Sequence, residues 1–408
     1  MKHEIDLKKY NMRTDLLSDI VTEEIDGIVK KIVKEDDITI TEITVLESGS
    51  IKINKKEGTY ITIEFNDVTD YDNKEKVKKV FSFHLKKMLE KLKIKKKDSC
   101  LIVGLGNDKS TPDSLGPNSI NNIIVTNHLF EVGEIDEGFR RVFAIAPGVM
   151  GQTGIETSKV VLSLIETLKP DFILVIDALA SQSLDRVNKT IQLTDTGIHP
   201  GSGVSNSRKE ISKEVVGIPV IAIGVPTVVD AVTIVSDTIN YMYKHYSYSK
   251  QNIDNPLNKL LFNIQPNYLK KDVKVLKDDK EKLFGIVGSL SEYEMKQLIF
   301  EVLTPIGYNF MVTVKEIDFI IEKLSDVIGN GINMALHDNV ITKLWNKIPQ
   351  NYEMKLQYCW FLYIICLKLQ MVMKLSWTNN LLILIENKNK EERHIYLKLS
   401  IKNNYSKR

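Results

Sequence analysis

The sequence predicts an α/β fold, an open doubly wound sheet with helices on both faces, preceded by an N-terminal β-rich segment. Four continuous apolar runs support this prediction, and segments of helical length separate them: residues 100–103, 142–146, 172–176 and 220–223. Runs that are apolar at every position are typical of parallel strands covered on both faces. Strands that alternate with helices in this way favour a parallel sheet.

The N-terminal hundred residues predict strands and one long helix. Residues 38–48 and 59–65 are rich in β-branched side chains, which favour strands. We expect residues 50–53 to pair with 59–65 as a hairpin, because the connection between them is short and contains a glycine. Residues 74–94 carry apolar side chains at helical spacing and predict a helix.

The rest of the chain predicts further helices. A hydroxyl residue followed three positions later by a carboxylate marks the start of a helix, and four such pairs occur at residues 153–156, 227–230, 291–294 and 313–316. Beyond about residue 246 we expect mostly helix.

Composition narrows the classes of protein that fit. Lys and Arg total 55 against 53 Asp and Glu, so no strong positive field attracts nucleic acid or an anionic membrane. The longest apolar run, residues 358–367, is too short to span a bilayer, and the first residues lack the apolar region of a secretion signal. The three cysteines have no metal-ligand spacing. We therefore expect a cytoplasmic protein that needs no metal or cofactor and contacts neither nucleic acid nor membrane directly.

Two aspartates follow predicted strands at the place where α/β proteins do their chemistry. Asp113 lies in the loop after the first strand, and Asp177 directly ends the run 172–176. Ligands bind outside the carboxyl ends of strands in open α/β sheets, so the two carboxylates can converge if their strands are neighbours. Such a pair can divide acid and base roles over a bound water. The structural alternative is that Asp113 caps a helix and Asp177 is only a hydrogen-bonded buried group.

Three other kinds of site have weaker support in the sequence than the aspartate pair. The glycines at the start of residues 104–109 suggest a dinucleotide loop, but Lys109 occupies the third glycine position. Asp195 begins the Asp-Thr-Gly triad of pepsin-like proteases, which need two such triads, so we interpret it as a strand followed by a turn. Cys100 lies within a buried strand and is expected to be a core residue rather than a nucleophile.

The glycine-dense segment 197–206 predicts a loop, and such a loop often lies against a ligand. It contains His199 and Ser202, which we regard as possible substrate-loop residues. Ser202 is not in a G-x-S-x-G elbow, so a serine hydrolase is disfavoured.

Five motifs occur in a fixed order: residues 104–117 (GLGNDKSTPDSLGP), 146–157 (APGVMGQTGIET), 176–180 (IDALA), 195–204 (DTGIHPGSGV) and 223–231 (IGVPTVVDA). Together they resemble the germination proteases of spore-forming Gram-positive bacteria, and the resemblance covers residues 1 to about 340. It implies a fold similar to that of hydrogenase-maturation proteases. It also implies an endopeptidase that degrades small acid-soluble, DNA-protecting spore proteins, cutting after an acidic residue and before a hydrophobic one.

The resemblance also implies how the enzyme is made. Family members are homotetramers in the forespore and spore core, synthesised as inactive zymogens that remove an N-terminal propeptide by self-cleavage. Residues 13–17 (RTDLL) match the processing site, with the cut between Asp15 and Leu16. The implied organisation is a propeptide, residues 1–15, a protease domain, residues 16–343 with its α/β core at about 99–246, and a tail, residues 344–408. The family chain normally ends soon after His337, so the tail has no assigned role.

The two aspartates proposed as catalytic in the family match Asp113 and Asp177, the pair that the strand ends single out. Asp113, near a predicted helix N-terminus, would be the better base, and Asp177, among apolar residues, would hold and donate the proton. Two alternatives stay open at this point. One is a metal-guided protease of the hydrogenase-maturation type, with His199 beside the two aspartates. The other is an inactive module that only binds spore proteins.

Overall fold

The computed structural model describes residues 16–338, apart from 22–23, 134, 136, 200–209, 252–272 and 304–309. Within these residues the strands form one mixed sheet. They are β1 Ile28–Glu35, β2 Ile38–Val45, β3 Gly58–Glu64, β4 Cys100–Gly104, β5 Val142–Ile145, β6 Phe172–Ser181, β7 Thr190–Thr194, β8 Val220–Asp230 and β9 Met311–Val312.

The strand order across the sheet is β1-β2-β3-β7-β8-β6-β4-β5, with β9 on β8. The four apolar runs of the sequence form β8, β6, β4 and β5, which pair in parallel. In the other half of the sheet, β1, β2, β3 and β7 pair antiparallel in this order. Strand β7 also pairs antiparallel with β8 and so joins the two halves. The α/β prediction is therefore confirmed, with an antiparallel N-terminal half added to a parallel core.

Helices cover both faces of the sheet. They are α1 Leu17–Ile20, α2 Glu47–Ile53, α3 Tyr71–Lys91, α4 Leu115–Ile120, α5 Asn127–Val132, α6 Met150–Thr153, α7 Thr157–Leu168, α8 Lys213–Val216, α9 Ala231–Gln251, α10 Lys277–Phe284, α11 Glu292–Leu303 and α12 Ile317–Leu336. Apolar residues of α3 and α12 pack on one face, against Ile102, Leu174 and Ile223. Apolar residues of α7 pack on the other, against Val103 and Val175.

The predicted hairpin of residues 50–53 with 59–65 is wrong, because residues 47–53 form helix α2. Asn54 ends this helix in the left-handed conformation, with φ 51°. The partner of β2 on its outer side is β1, and Asp36, also left-handed with φ 51°, stands in the tight turn between them. Helix and strand are hard to tell apart in apolar runs this short.

Of the four predicted helix starts, the one at residues 291–294 is confirmed. The Ser291 hydroxyl lies 2.7 Å from Glu294 Oε2 and accepts the Glu294 N–H at 3.3 Å. The start predicted at 227–230 is wrong, since β8 continues to Asp230 and pairs with both β6 and β9 there. Helices α7 and α12 begin one residue after their predicted capping pairs end, at Thr157 and Ile317.

No helix among the described residues is long and apolar enough to cross a membrane. The predicted propeptide, residues 1–15, and the predicted tail, residues 344–408, lie outside the described residues.

Candidate active site

Asp113 stands at the end of a short 3-10 helix, Thr111–Asp113, in the loop that follows β4. The loop leaves the sheet after Leu105, whose N–H still donates to the carbonyl of Ile176 at 2.8 Å. It then folds back on itself, because the N–H of Asn107 donates to the Asp113 carbonyl at 3.1 Å and to Asp113 Oδ2 at 2.9 Å. This N–H therefore holds both the backbone and the carboxylate of Asp113.

The glycines of this loop serve close packing. Gly106 has φ +115°, and a Cβ at this position would lie 1.9 Å from the carbonyl oxygen of Asp113. Gly116, in α4, lies against the backbone of Leu105, where a Cβ would be 2.1 Å from the carbonyl oxygen. Only glycine fits at either position. The glycine pattern that resembled a dinucleotide loop thus brings the Asp113 backbone against the end of β4.

Asp177 occupies the sixth position of β6 and is 6% exposed. Its Oδ1 accepts the N–H of Ala178 at 3.0 Å. It is paired in register with Gly224 of β8, which presents no side chain beside it. The space over Gly224 is filled by the Leu179 side chain, whose Cδ1 would lie 2.3 Å from a Cβ at this position. A carboxyl group therefore lies in a largely apolar strand, with a leucine packed beside it.

The structure places both aspartates near the carboxyl end of β4. Strands β4 and β6 are neighbours and parallel, with Gly104 paired to Ile176, the residue before Asp177. The 3-10 helix that carries Asp113 lies close to both β6 and β8. The geometric condition set by the sequence, that the two strands be neighbours, is met.

A row of four polar residues and one glycine crosses the sheet at the level of Asp177. Thr41, Thr62, Gln192, Gly224 and Asp177 are successive in-register partners on five neighbouring strands. Paired residues share a face of the sheet, so these side chains lie on the same side. Gln192 is thus two strands, roughly 10 Å, from Asp177. Sequence reasoning missed Gln192, because β7 alternates polar and apolar residues and its polar side is the side normally exposed to solvent, whereas here all five positions are buried.

The residues after the predicted cut lie on this same face. Leu16 and Leu17 are both 0% exposed, and the Leu17 side chain packs with Ile43 and Tyr60. The Leu17 N–H donates to Gln192 Oε1 at 2.9 Å. The Leu16–Leu17 segment is therefore held on the face that carries Asp177. Asp15, on the other side of the predicted cut, lies outside the described residues.

The remaining candidate residues lie elsewhere. Asp195 follows β7, which runs antiparallel to β8, so it stands toward the opposite end of the sheet from Asp113. Its Oδ1 accepts the N–H of Thr59 at 2.7 Å, which extends the β3–β7 pairing and fits the interpretation of a strand followed by a turn. Cys100 is fully buried in β4, and this burial raises the pKa of its thiol, as expected for a core residue.

The substrate-loop residues can be placed only in part. His199 lies beyond Asp195 and has a side chain that is 57% exposed, with Nε2 3.4 Å from Glu210 Oε2. Ser202 lies outside the described residues. Within the residues that the structure describes, no group of three or more His, Cys, Asp or Glu side chains could hold a metal ion. His199, Asp113 and Asp177 are all described, so the three ligands of the metal-guided alternative are not gathered into one site.

Comparison with known proteins places the chain among proteases. A family model described as germination protease matches residues 5–348. Germination proteases of Bacillus cereus (strain ATCC 10987 / NRS 248) and Bacillus mycoides (strain KBAB4) are each 47% identical over 360 residues, which covers 83% of this chain and 97% of theirs. Among solved structures, a [NiFe] hydrogenase maturation protease from Thermococcus kodakarensis is 20% identical over 34% of this chain and 80% of its own. The TM-score between the two structures is 0.24.

Proposed function

The chain belongs to the germination protease family, a family of peptidases, and from this premise we propose that it is a self-processing endopeptidase of the spore. In this proposal it is synthesised as a zymogen and degrades small acid-soluble spore proteins, cutting between an acidic and a hydrophobic residue. The observation that carries the mechanism is that Asp113, in the loop after β4, and Asp177, in the neighbouring parallel strand β6, both lie near the carboxyl end of β4.

The proposed reaction is hydrolysis by a pair of carboxyl groups. Asp113 removes a proton from a water molecule, whose oxygen forms a bond to the carbonyl carbon of the substrate. Asp177 donates its proton to the nitrogen as the C–N bond breaks. The proton taken by Asp113 then passes through solvent to restore Asp177.

The surroundings of the two groups support this division of roles. Each carboxyl group accepts a main-chain N–H, from Asn107 for Asp113 and from Ala178 for Asp177, so burial is what distinguishes them. Asp113 is only half-buried. Asp177 is almost fully buried beside the apolar residues of β6, and burial disfavours the charged form of a carboxyl group. Because the two groups would titrate together, the assignment belongs to the pair as much as to each residue.

The position of Leu16 and Leu17 supports the proposal of a zymogen. The two leucines that follow the cut are buried on the face of Asp177, and Gln192 holds the N–H of the second one. The bond proposed to be cut thus adjoins this face, as self-cleavage requires, and both leucines stay on the enzyme after the cut. The homotetramer and the location in the forespore and spore core rest on the family resemblance, and sedimentation of the purified zymogen tests the first.

Cleavage assays on the full chain test the mechanism. Wild type, Asp113→Asn and Asp177→Asn are given a purified small acid-soluble spore protein, and self-cleavage after Asp15 is followed in the same samples. Asparagine is nearly isosteric with aspartate, so circular dichroism should show folded proteins. We expect each variant to lose activity roughly 100- to 10,000-fold. Near-wild-type activity of either variant would rule out the aspartate-pair mechanism. A folded wild type that binds the substrate without cutting it would favour the alternative of an inactive binding module.

Nickel and a chelator separate the proposed mechanism from the metal-guided alternative. Because the proposed reaction uses two carboxyl groups and water, we expect neither addition to change the rate. A rate that falls with chelator and recovers with nickel would contradict the aspartate-pair mechanism.

A further inference from the structure

Helix α6, which follows β5, lies at the surface next to the loop that carries Asp113. None of its residues is buried, so packing against the core does not hold it in place. Gly148 and Gly154, on either side of it, have left-handed φ values of +72° and +70°. A four-residue helix between two such glycines needs a further contact to keep one position.

The side chain of Gln152 in α6 supplies such a contact. Its Nε2 donates to Asn107 Oδ1 at 2.6 Å and to Asp108 Oδ1 at 2.7 Å, and its Oε1 accepts the N–H of Val149 at 3.3 Å. Both amide hydrogens and the amide oxygen of one side chain are thus in use. The contact with the Asp108 carboxylate is charge-assisted, which makes it stronger than a contact between neutral groups.

The partners of Gln152 leave a single orientation for its amide. An ionised carboxylate can only accept, so the group that faces Asp108 must be the NH2. The N–H of Val149 can only donate, so the group that faces it must be the oxygen. The Asn107 amide is oriented in the same way, because the N–H of Lys109 donates to its Oδ1 at 3.0 Å. Gln152 therefore meets Asn107 as donor to acceptor.

Asn107 connects Gln152 to the proposed base. Its side chain accepts from Gln152, and its main-chain N–H donates to Asp113 Oδ2 at 2.9 Å. Anchoring the side chain limits the rotation of the whole residue and so keeps this N–H in one direction. Direction matters here, because a displacement of roughly 1 Å in a reacting group can cost a large factor in rate.

We propose that Gln152 is a positioning residue for the reaction, which holds Asn107 so that its N–H keeps the Asp113 carboxylate directed at the water molecule. This inference rests on the proposed function, because it takes Asp113 as the base. Gln152 acts through Asn107 and not on the reacting atoms. Its loss should therefore lower kcat and leave KM nearly unchanged, since it alters the chemical step rather than the binding of substrate.

Three substitutions of Gln152 separate its two kinds of contact. At neutral pH, Gln152→Glu keeps an oxygen for the Val149 N–H but has no hydrogen to donate. Gln152→Lys keeps a donor for Asn107 and Asp108 but has no oxygen for Val149. Gln152→Met is similar in length and uncharged, and keeps neither contact. The side chain is exposed, so circular dichroism should show all three full-length variants folded.

Cleavage of a purified small acid-soluble spore protein is the first readout, with rates expressed per processed enzyme. We expect kcat to fall roughly 10- to 100-fold in Gln152→Met and Gln152→Glu, and Gln152→Lys to restore most of the lost rate. Self-cleavage after Asp15, which requires no binding of a second molecule, should follow the same order. Recovery in Gln152→Glu instead of Gln152→Lys would show that the residue only starts α6 through Val149, and would overturn the inference.

Gln152→Met also excludes an effect of charge alone. Glutamate and lysine change the charge near Asp113, whereas methionine does not. If only charge mattered, Gln152→Met would keep the wild-type kcat, and the positioning role would be wrong.

A double-mutant cycle shows whether Gln152 acts through Asn107. Asn107→Ala keeps the main-chain N–H that holds Asp113 and removes the oxygen that Gln152 anchors. Adding Gln152→Met to Asn107→Ala should then lower kcat by less than about twofold. Losses that multiply would show that the two residues act independently, which overturns the inference.

Failure of this inference can be told from failure of the proposed function. If wild type cuts the spore protein, Asp113→Asn does not, and Gln152→Met cuts it at the wild-type rate, the aspartate stands and the positioning role is wrong. If wild type cuts neither itself nor the spore protein, the proposed function fails and the inference fails with it.

Discussion

The main-chain N–H of Asn107 is shared between the carbonyl oxygen of Asp113, at 3.1 Å, and its carboxylate Oδ2, at 2.9 Å. One donor thus fixes both the position of the loop and the orientation of the carboxylate. The side chain of Asn107 takes part as well, since its Oδ1 accepts from Gln152 Nε2 at 2.6 Å. Asp113 is therefore placed by a loop folded onto itself rather than by the sheet alone.

Gly106 makes this folded loop possible. In Gly106→Ala the new Cβ would meet the Asp113 carbonyl at 1.9 Å at a backbone φ of +115°, so the loop must move. We expect a loss of roughly 1–3 kcal/mol in the free energy of unfolding from strain and overpacking, and a fall in peptidase activity beyond that of any folding defect. Denaturant unfolding and kcat/KM measure the two effects.

Gly151→Ala is the matched control for this substitution. Gly151 lies in α6, with open space around its Cβ position and no unusual φ. Alanine should be neutral or slightly stabilising there. A Gly106→Ala enzyme with wild-type activity would show that the loop does not position Asp113 for the reaction.

Asp195 is expected to stabilise the fold without taking part in the reaction. Its Oδ1 accepts the Thr59 N–H at 2.7 Å, and an asparagine oxygen can do the same. Asp195→Asn should therefore keep kcat within about twofold, whereas Asp195→Ala should lose about 1–2 kcal/mol of unfolding free energy. Cleavage rates and urea unfolding on both variants check this. Loss of kcat in a stable Asp195→Asn would restore the Asp-Thr-Gly interpretation.

His337 should make stability depend on pH. It is 3% exposed, and burial, with the nearby positive charge of Arg140, lowers its pKa from 6.5 to about 4. As the pH falls, His337 of the unfolded chain binds a proton before His337 of the folded chain does. The contribution of neutral His337 to the free energy of unfolding is therefore complete above pH 6.5 and is lost as the pH falls toward 4. The total loss is about 3 kcal/mol.

The control for His337 keeps its hydrogen bond and removes its titration. The Nδ1 atom accepts the N–H of Arg140 at 3.2 Å, and the oxygen of His337→Asn can replace it. Unfolding free energies at pH 7, 5.5 and 4 should fall less steeply in the variant than in wild type. Parallel curves for the two proteins would contradict the assignment, because the carboxyl groups titrate alike in both.

Gln192 should anchor the N-terminal segment. Gln192→Leu leaves the buried Leu17 N–H without its acceptor, which costs about 1–3 kcal/mol. We expect a matching fall in the unfolding free energy of the zymogen and slower self-cleavage after Asp15. Leu193→Met, on the opposite face of β7, preserves volume and should change neither by much. Unchanged self-cleavage in Gln192→Leu would show that this contact does not present the bond.

The local features that follow from the sequence are those with a strong periodic or chemical signal. Strands β4, β5, β6 and β8 could be predicted because each contains a continuous apolar run, the pattern of strands covered on both faces, although in β5 only Val142 is fully buried. Asp113 and Asp177 could be selected because each follows an apolar run, where a buried carboxylate is costly unless it is paired. The strand end expected at Asp177 was wrong, since β6 continues to Ser181. Residues 47–53 were assigned wrongly because seven residues hold too little periodicity to separate a helix from a strand.

The tertiary structure decided which distant residues meet. Nothing in the order of the chain places Gln192 beside Gly224 and Asp177, because that neighbourhood depends on β7 entering the sheet antiparallel between β3 and β8. Arg186 likewise has no motif, and only the return of the chain from β6 brings it to Asp19, 167 positions away. Sequence patterns report the environment of each residue, buried or exposed and strand or helix. Contacts between elements follow from strand order and register, which loop closure and packing of the whole chain select.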